Sequence, residues 1–445
     1  MELMSKREWD RLDVIKRVER DELSVAQAAQ ILGVSPRWLL ELRKAVAADG
    51  AAALVHGNKG KRPANRLKDK DRERIVELAR TTYAGFNDQH FTEKLVDEKI
   101  SVSRSSVRRL LREAKIGLSR KRRASKHRRR RDRRPQAGLM ILWDGSRHDW
   151  LEGRGPMLCL MGAIDDATGE LLPGAHFVDQ ECTASYLRTL QAIVLEKGIP
   201  HSAYGDRHAA LQRNDDHWTL EEELRGEQDL THVGYALRAL NITPIAALSP
   251  QAKGRVERLW KTLQDRLVSE LRLANACTRE EADQVLAAYV PGHNRRFAIA
   301  PKDATPAWRP LRGIDVERAC SFRYEAQVGN DNAVRLQGRV FDIPPGPGSR
   351  GYAKARAEVR QLLNGSWRVY VKDVLVASLS ASPLEELRPR KRHKRSATDK
   401  AFGKAVRRLN AEPAVAVATP RARRGLPPPA FNGYGQLVRR KKQAA

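Results

Sequence analysis

The chain has 445 residues, of which 83 are Lys or Arg and 54 are Asp or Glu, a formal charge of +29 at pH 7 with an isoelectric point near 10.4. With 31% charged and 41% hydrophobic residues, and no apolar run longer than the eight residues from Met157 to Ile164, the composition excludes both a membrane-spanning protein, which needs roughly 18 such residues, and a wholly disordered one. The first residues carry no apolar stretch, so no secretory leader is expected. The four cysteines (Cys159, Cys182, Cys277, Cys320) lack CxxC spacing and read as ordinary thiols of a reducing bacterial cytosol. A positive excess of this size points to nucleic acid, where cationic side chains release condensed counterions.

The placement of the charge divides the chain. Eleven Lys and Arg with one acidic residue crowd Arg120 to Arg134, and seventeen with three acidic residues follow from Glu386, so these two segments hold 24 of the 29 net charges. Neither has apolar periodicity, and they read as a linker and a disordered tail. The expected organisation is a helix-turn-helix domain at 1–56, a basic connection at 57–67 and a second helical, winged-helix-like DNA-binding domain at 68–118. A basic linker at 119–136, a catalytic core at 137–312, a small β-barrel at 320–380 and a basic tail at 386–445 complete it.

In the first domain Trp9, Leu12, Val14, Ile15 and Val18 give one amphipathic helix. Ser24 and Gln27 form a capping box for the next helix, Gly33 permits a tight turn, and Ser35-Pro36 opens a third helix with an N-cap and a proline at its first position. Arg37, Arg43 and Lys44 are expected outward on that helix, as on a helix that enters a major groove; the alternative is a plain three-helix bundle. Lys59, Lys61, Arg62 and Arg66 suit DNA backbone contact. In the second domain helices are expected over Asp69 to Thr82, Phe91 to Glu98 and Arg104 to Lys115, the last capped by Ser103. It would turn Val107, Leu110 and Leu111 inward and Arg104, Arg108, Arg109 and Arg112 outward. Arg128, Arg129, Arg130 and Arg131 of the linker are further candidates for DNA contact.

The centre reads as a mixed sheet flanked by helices. Strands are expected from Leu139 to Asp144, Pro156 to Ile164 and Glu170 to Val178. A helix capped by Thr183 and a strand from Ser202 to Gly205 follow. A helix at Val233 to Leu240, a strand at Ile242 to Ile245 and a long helix from Pro250 to about Leu271 complete it. Asp144 ends the first strand, Asp206 ends the fourth, and Glu257 sits two turns into the long helix. Three convergent carboxylates repel one another unless divalent cations lie between them, so the pattern points to Mg²⁺ or Mn²⁺, two ions serving phosphodiester chemistry.

Four segments carry a resemblance. Trp143-Asp144-Gly145-Ser146-Arg147-His148-Asp149-Trp150-Leu151-Glu152-Gly153-Arg154, Ile164-Asp165-Asp166-Ala167-Thr168-Gly169, Tyr204-Gly205-Asp206-Arg207-His208 and Ser249-Pro250-Gln251-Ala252-Lys253-Gly254-Arg255-Val256-Glu257-Arg258 resemble the DDE transposases with a retroviral-integrase-type core. Among these the chain is similar to the insertion-sequence transposases grouped as ISNCY. Asn294-Arg295-Arg296-Phe297 extends the resemblance, which runs to about residue 380. It implies an RNase-H-like core with Asp144, Asp206 and Glu257 as catalytic and metal-binding residues, and Lys253 near the scissile phosphate. It further implies binding to the terminal inverted repeats, metal-dependent strand cleavage and strand transfer, and at least a dimer assembled on double-stranded DNA. The 51 residues from Asp206 to Glu257 are longer than in compact relatives, the excess falling in 214–229. The retroviral zinc module has no counterpart, so no zinc is expected.

Each carboxylate has an ordinary reading as a turn, cap or solvated side chain; together, in order, they read as catalytic. Asp165 and Asp166 fit a hairpin turn, Asp149 is the strongest rival to the triad, and His148 and His208 read first as structural. Alternating short strands between Phe322 and Leu379 suggest the small barrel. The alternatives are a non-catalytic helix-turn-helix regulator or domesticated transposase, and a nuclease without strand transfer.

Overall fold

The computed structural model describes residues 4–56, 59, 66–117, 131–213, 218, 220–247 and 254–387. Lys61, Arg62, Arg128, Arg129, Arg130, Lys253 and the tail from residue 388 lie outside them. The chain divides into two compact units, Met1–Glu77 and Leu78–Ala445.

In the first unit, α1 (Lys6–Glu19) is opened by a capping box between Ser5 and Glu8, and α2 (Val25–Leu32) by the expected one between Ser24 and Gln27. Gly33 ends α2 in the left-handed region at φ +63°, where a side chain would be strained. Ser35 then accepts the Trp38 N–H at 3.2 Å and starts α3 (Pro36–Asp49). The core joins Leu12, Val14, Ile15 and Val18 to Ala28, Ala29, Leu39 and Leu54. Trp9 is exposed, because a residue six positions before Ile15 is rotated about 120° off the apolar stripe at 100° per residue. Helix α4 (Asp69–Arg80) follows.

The second unit opens with α5 (Asp88–Asp97) and α6 (Arg104–Glu113). Helix α5 begins three residues before the expected Phe91, because Asn87 Oδ1 accepts the His90 N–H at 2.8 Å and caps it. On α6, Val107, Leu110 and Leu111 are buried as expected. Arg112 is not outward: it is half-buried, bonded to both oxygens of Asp88 at 3.1 and 3.2 Å and to the Ile116 carbonyl.

A five-stranded sheet follows, built from β1 (Ile141–His148), β2 (Leu158–Asp165), β3 (His176–Val178), β4 (Ser202–Gly205) and β5 (Thr243–Ala246) in the order β3-β2-β1-β4-β5. The β1–β2 and β2–β3 pairs are antiparallel, β1–β4 and β4–β5 parallel. The expected third strand shrinks to three residues, with Leu171 bridging Ile164 alone. Helix α7 (Thr183–Glu196) is capped at Cys182, not Thr183, whose hydroxyl instead bonds Glu386 at 2.9 Å. Helices α8 (Leu220–Arg225) and α9 (His232–Ala239) come next, then α10 (Gly254–Leu273) and α11 (Arg279–Phe297).

Strand alternation sorts the two faces. Ile141 and Trp143 of β1, with Cys159, Met161 and Ala163 of β2, pack under α7 and α9. Met140, Leu142, Leu158, Leu160 and Ile164 pack under α10 through Val256, Leu259, Trp260, Leu263 and Leu267. Asn294 on α11 accepts the Leu171 N–H at 2.9 Å and donates to its carbonyl at 2.8 Å, closing the turn after β2 as a strand would.

Helix α12 (Val316–Ala319) and Phe322 enter the α7 core. Beyond them β6 (Phe322–Gln327), β9 (Arg356–Gln361), β10 (Trp367–Val371) and β11 (Val374–Leu379) form an antiparallel sheet in the order β11-β10-β9-β6. A separate hairpin of β7 (Ala333–Leu336) and β8 (Arg339–Asp342) shares its core. The expected barrel is therefore an open sheet with a hairpin packed on it: the two are paired as separate sheets, and no ladder closes β11 onto β6. On this sheet Glu358 holds three arginines; burial opposes its charge, yet Arg360, Arg323 and Arg318 keep its pKa at about 2. No helix among the described residues is long and apolar enough to cross a membrane. Replacing Asn294 by Ala removes both bonds to the buried Leu171 backbone and should cost about 1–3 kcal/mol, read as a lower midpoint in chemical denaturation.

Candidate active site

Asp144 lies inside β1, not at its end, because Gly145 to His148 continue the ladder with Met161 to Leu158. The parallel β1–β4 pair aligns Ile141 with Ala203 and Leu142 with Tyr204. Asp144 comes two residues after this pair on β1, and Asp206 two residues after it, just past the end of β4. Both are half-buried; Asp144 falls on the α10 face by alternation with Leu142, and Asp206, just past β4, lines a cavity with Trp143, Ala203 and Gly205. A short turn fixes Asp206, whose Oδ1 accepts the His208 N–H at 3.0 Å.

Helix α10 runs beside β1 in the same direction. Val256 and Leu142 share the core, Trp260 Nε1 donates to Asp144 Oδ2 at 3.2 Å, and Gln264 Nε2 donates to Ser146 Oγ at 3.1 Å. Every fourth helix residue thus meets every second strand residue, since four helical residues advance about 6 Å and two strand residues about 6.6 Å. Glu257 is exposed in the first turn of α10, two turns before Gln264 on the same side of the helix. The donor chemistry of these carboxylates fits a hard divalent cation. Among the described residues, no three His, Cys, Asp or Glu side chains are drawn together closely enough to hold a metal ion.

The other face of the sheet holds a carboxylate that the sequence pattern did not single out. Glu181, in the turn before α7, accepts from the Tyr186 hydroxyl, and its Oε1 lies 3.9 Å from His208 Nδ1. Burial, and the neighbouring charges of Asp206 and Asp144, push the Glu181 pKa up. Burial also pushes the Cys159 thiol up to about 12, helped by Glu181 and Asp144. No motif or spacing announces Glu181. His208 is structural in part, its Nδ1 accepting the Ala210 N–H at 3.2 Å. Of the rivals, Asp149 is exposed and accepts the Gly153 N–H at 3.1 Å in a turn; His148 packs against the Trp150 ring.

A family model described as a winged helix-turn helix matches residues 11–73. A protein of Sinorhizobium fredii (strain NBRC 101917 / NGR234) named "Putative transposase y4bF" is 33% identical over 390 residues, 83% of this chain and 82% of that one. The chain belongs to this transposase family. The transposase for insertion sequence IS1202 of Streptococcus pneumoniae is 29% identical over 401 residues, 81% of this chain and 83% of that one. A chain of the cryo-EM structure of a simian T-cell lymphotropic virus intasome in complex with PP2A regulatory subunit B56 gamma gives a TM-score of 0.29 at 12% identity. It covers 69% of this chain and 99% of that one.

On the transposase, Arg37, Arg43 and Lys44 are exposed on α3, as are Arg104, Arg108 and Arg109 on α6. Arg37 pairs with Glu41 at 3.4 Å, and Lys59 is taken up by Glu8 at 3.1 Å. Helix α5 is tied to α10: His90 Nε2 lies 2.7 Å from Glu270, Lys94 bonds Glu270 at 2.9 Å, and Arg266 bonds Glu93 at 2.7 Å.

The end of the expected linker is folded. Asp166 is fully buried and receives Arg131, Arg255 and, at 2.8 Å, the Arg134 N–H. Arg133 donates to the carbonyls of Asp166 and Ala167 at 3.2 Å. Arg131 is thus an internal ion-pair partner and not a solvated DNA contact. Burial works against the charge of Asp166, but Arg131, the Arg134 N–H and Arg255 hold its pKa below the usual carboxylate range. Its neighbour Asp165 is pushed up by burial while accepting from Gly138, Ala167 and Thr168. Both aspartates therefore brace the turn after β2, and the Asp166 knot reaches Arg255, two residues before Glu257. Asp166→Asn should cost about 3 kcal/mol by leaving the half-buried Arg131 and Arg255 without their charge partner. Because the folded pKa is lowered, this stabilisation is present above the ordinary value of 3.8 and lost as pH falls through the lowered one. Acid titrations of stability should therefore fall more steeply below about pH 4 for the wild type than for the variant.

Proposed function

We propose that this transposase is of the DDE type, with an RNase-H-like, integrase-type core of the ISNCY group, and that it cuts at the ends of a mobile element and joins them to target DNA. The observation that supports the reading is the parallel pairing of β1 with β4, which makes the strand that carries Asp144 the neighbour of the strand that Asp206 follows, with α10, the helix that bears Glu257, bonded to Asp144 through Trp260. The strand order and the mixture of parallel and antiparallel pairs fit it.

Asp144, Asp206 and Glu257 would hold two Mg²⁺ or Mn²⁺ ions through hard carboxylate oxygens. When bound, such ions raise the reactivity of an attacking oxygen and stabilise the departing one at a phosphodiester. The chain's own part is orientation. Strand pairing makes β1 and β4 neighbours, the turn at His208 fixes the Asp206 carboxylate, and no side chain would form a covalent bond to DNA. The exposed Arg37, Arg43 and Lys44 of α3 suit a major groove. Arg104, Arg108 and Arg109 suit a second contact, and Lys59, Lys61, Arg62, Arg128, Arg129, Arg130 and Lys253 suit phosphates. Holding two element ends at once calls for at least two copies of the chain on DNA.

The test is an oligonucleotide assay on DNA carrying the element's terminal repeats, with and without Mg²⁺. Asp144→Ala, Asp206→Ala and Glu257→Ala should each lower nicking and strand transfer by at least about a thousandfold, about 4 kcal/mol of barrier, while DNA binding stays within a few-fold. Chelation with EDTA should abolish both reactions in the wild type. Full strand transfer by Asp206→Ala would contradict the assignment. Nicking without joining would mark a nuclease, and binding alone a regulator.

A further inference from the structure

The bond between α10 and Asp144 has a cause in the opposite strand. In the antiparallel β1–β2 ladder Asp144 is paired with Gly162, and directly paired residues present their side chains on one face. A Cβ built on Gly162 would stand 3.3 Å from Trp260 Cη2 and 3.4 Å from both Ala175 Cβ and Leu171 Cδ1. The glycine therefore opens the floor on which the indole lies, and from there Nε1 reaches Asp144. Trp260 is 5% exposed, so this bond is shielded from competing water. It is also one turn after Glu257 on the same helix, about 4.5 Å along the axis. Sliding or rotating α10 cannot change the distance from Glu257 to Asp144 without breaking the Trp260 bond and, one further turn on, the Gln264–Ser146 bond at 3.1 Å.

We propose that Trp260 is a positioning residue for the reaction: its N–H orients the Asp144 carboxylate and its seat over Gly162 sets where α10 delivers Glu257. Gln264 is the second rung of the same device. The proposal rests on the catalytic reading of Asp144 and Glu257 given above. Neither residue bonds DNA in this scheme; both act through the carboxylates.

The decisive variant is Trp260→Phe, which keeps an aromatic side chain at this place and removes the donor together with the outer part of the indole that lies on Gly162. Two readouts are needed. The first is the rise in melting temperature of the DNA-free protein as Mg²⁺ or Mn²⁺ is titrated in, which reports metal binding without turnover. The second is the strand-transfer rate at saturating metal and DNA. Trp260→Phe should raise the half-saturating metal concentration about tenfold and slow strand transfer about tenfold, in the range seen when outer partners of metal ligands are removed. DNA binding measured in EDTA should not change. Gly162→Ala, whose methyl presses on the indole, should shift both readouts the same way by less, and it serves if Trp260→Phe fails to fold. Leu271→Ala, at the far end of α10, should lower the melting temperature while leaving the metal midpoint in place, as a purely structural change would. If Asp144→Asn removes the metal response and Trp260→Phe keeps the wild-type midpoint and rate, the positioning role is refuted and the catalytic reading stands. If Asp144→Asn leaves the metal response intact, the catalytic reading itself has failed.

Discussion

The geometry of the site rests on a match of two repeats. Four residues of an α-helix and two residues of a β-strand advance by nearly the same distance, about 6 and 6.6 Å, so a helix laid along a strand can repeat one contact turn after turn. Helix α10 and β1 do this with three successive pairs: an apolar one at Val256 and Leu142, then Trp260 on Asp144, then Gln264 on Ser146. The apolar stripe of Leu259, Leu263 and Leu267 supplies the adhesion; the two polar rungs choose the register. A slip by one helical residue would turn the stripe by 100° and break both polar rungs. Thus the residue proposed as third ligand is located by packing that begins where it ends.

The same helix is held at its start by charge. Asp166, fully buried, gathers Arg131 and Arg255, and this changes the meaning of the basic segment from Arg120 to Arg134. Its last arginines belong to the fold, where they satisfy a buried carboxylate. The remaining cationic excess near the core, if it meets DNA, does so from an anchor adjacent to the first turn of α10. At the middle of that helix Arg266 and Glu270 bond α5 through Glu93, Lys94 and His90. The helix that carries Glu257 is therefore in contact with the sheet, with the arginine knot and with the helices that precede the core.

Local signals were legible in the sequence, and long-range ones were not. The caps at Ser24 and Ser35, the strands Ser202–Gly205, Ala333–Leu336 and Trp367–Val371, and the buried stripe of α10 follow from side chains a few residues apart. Asp144 was misplaced at a strand end because Gly145 to His148 are not apolar; they are extended because β2 runs opposite them. Arg131 was assigned to a solvated arm because its partner is 35 residues away, and Arg255 reaches the same carboxylate from 89 residues away. Glu181 has no motif, and its proximity to Asp144 and Asp206 exists only through the sheet. The barrel failed for a related reason: alternation identifies strands but does not say whether the last one closes on the first.

The central claim is that Asp144 and Asp206 share a divalent cation. Crystals of the transposase grown or soaked in Mn²⁺, with anomalous diffraction collected to locate the metal, test it most directly. The account predicts a manganese peak about 2 Å from carboxylate oxygens of both Asp144 and Asp206, with Trp260 still on Asp144. A well-occupied peak at Asp149 or Glu181 instead, or none at the aspartate pair under saturating Mn²⁺, would contradict it.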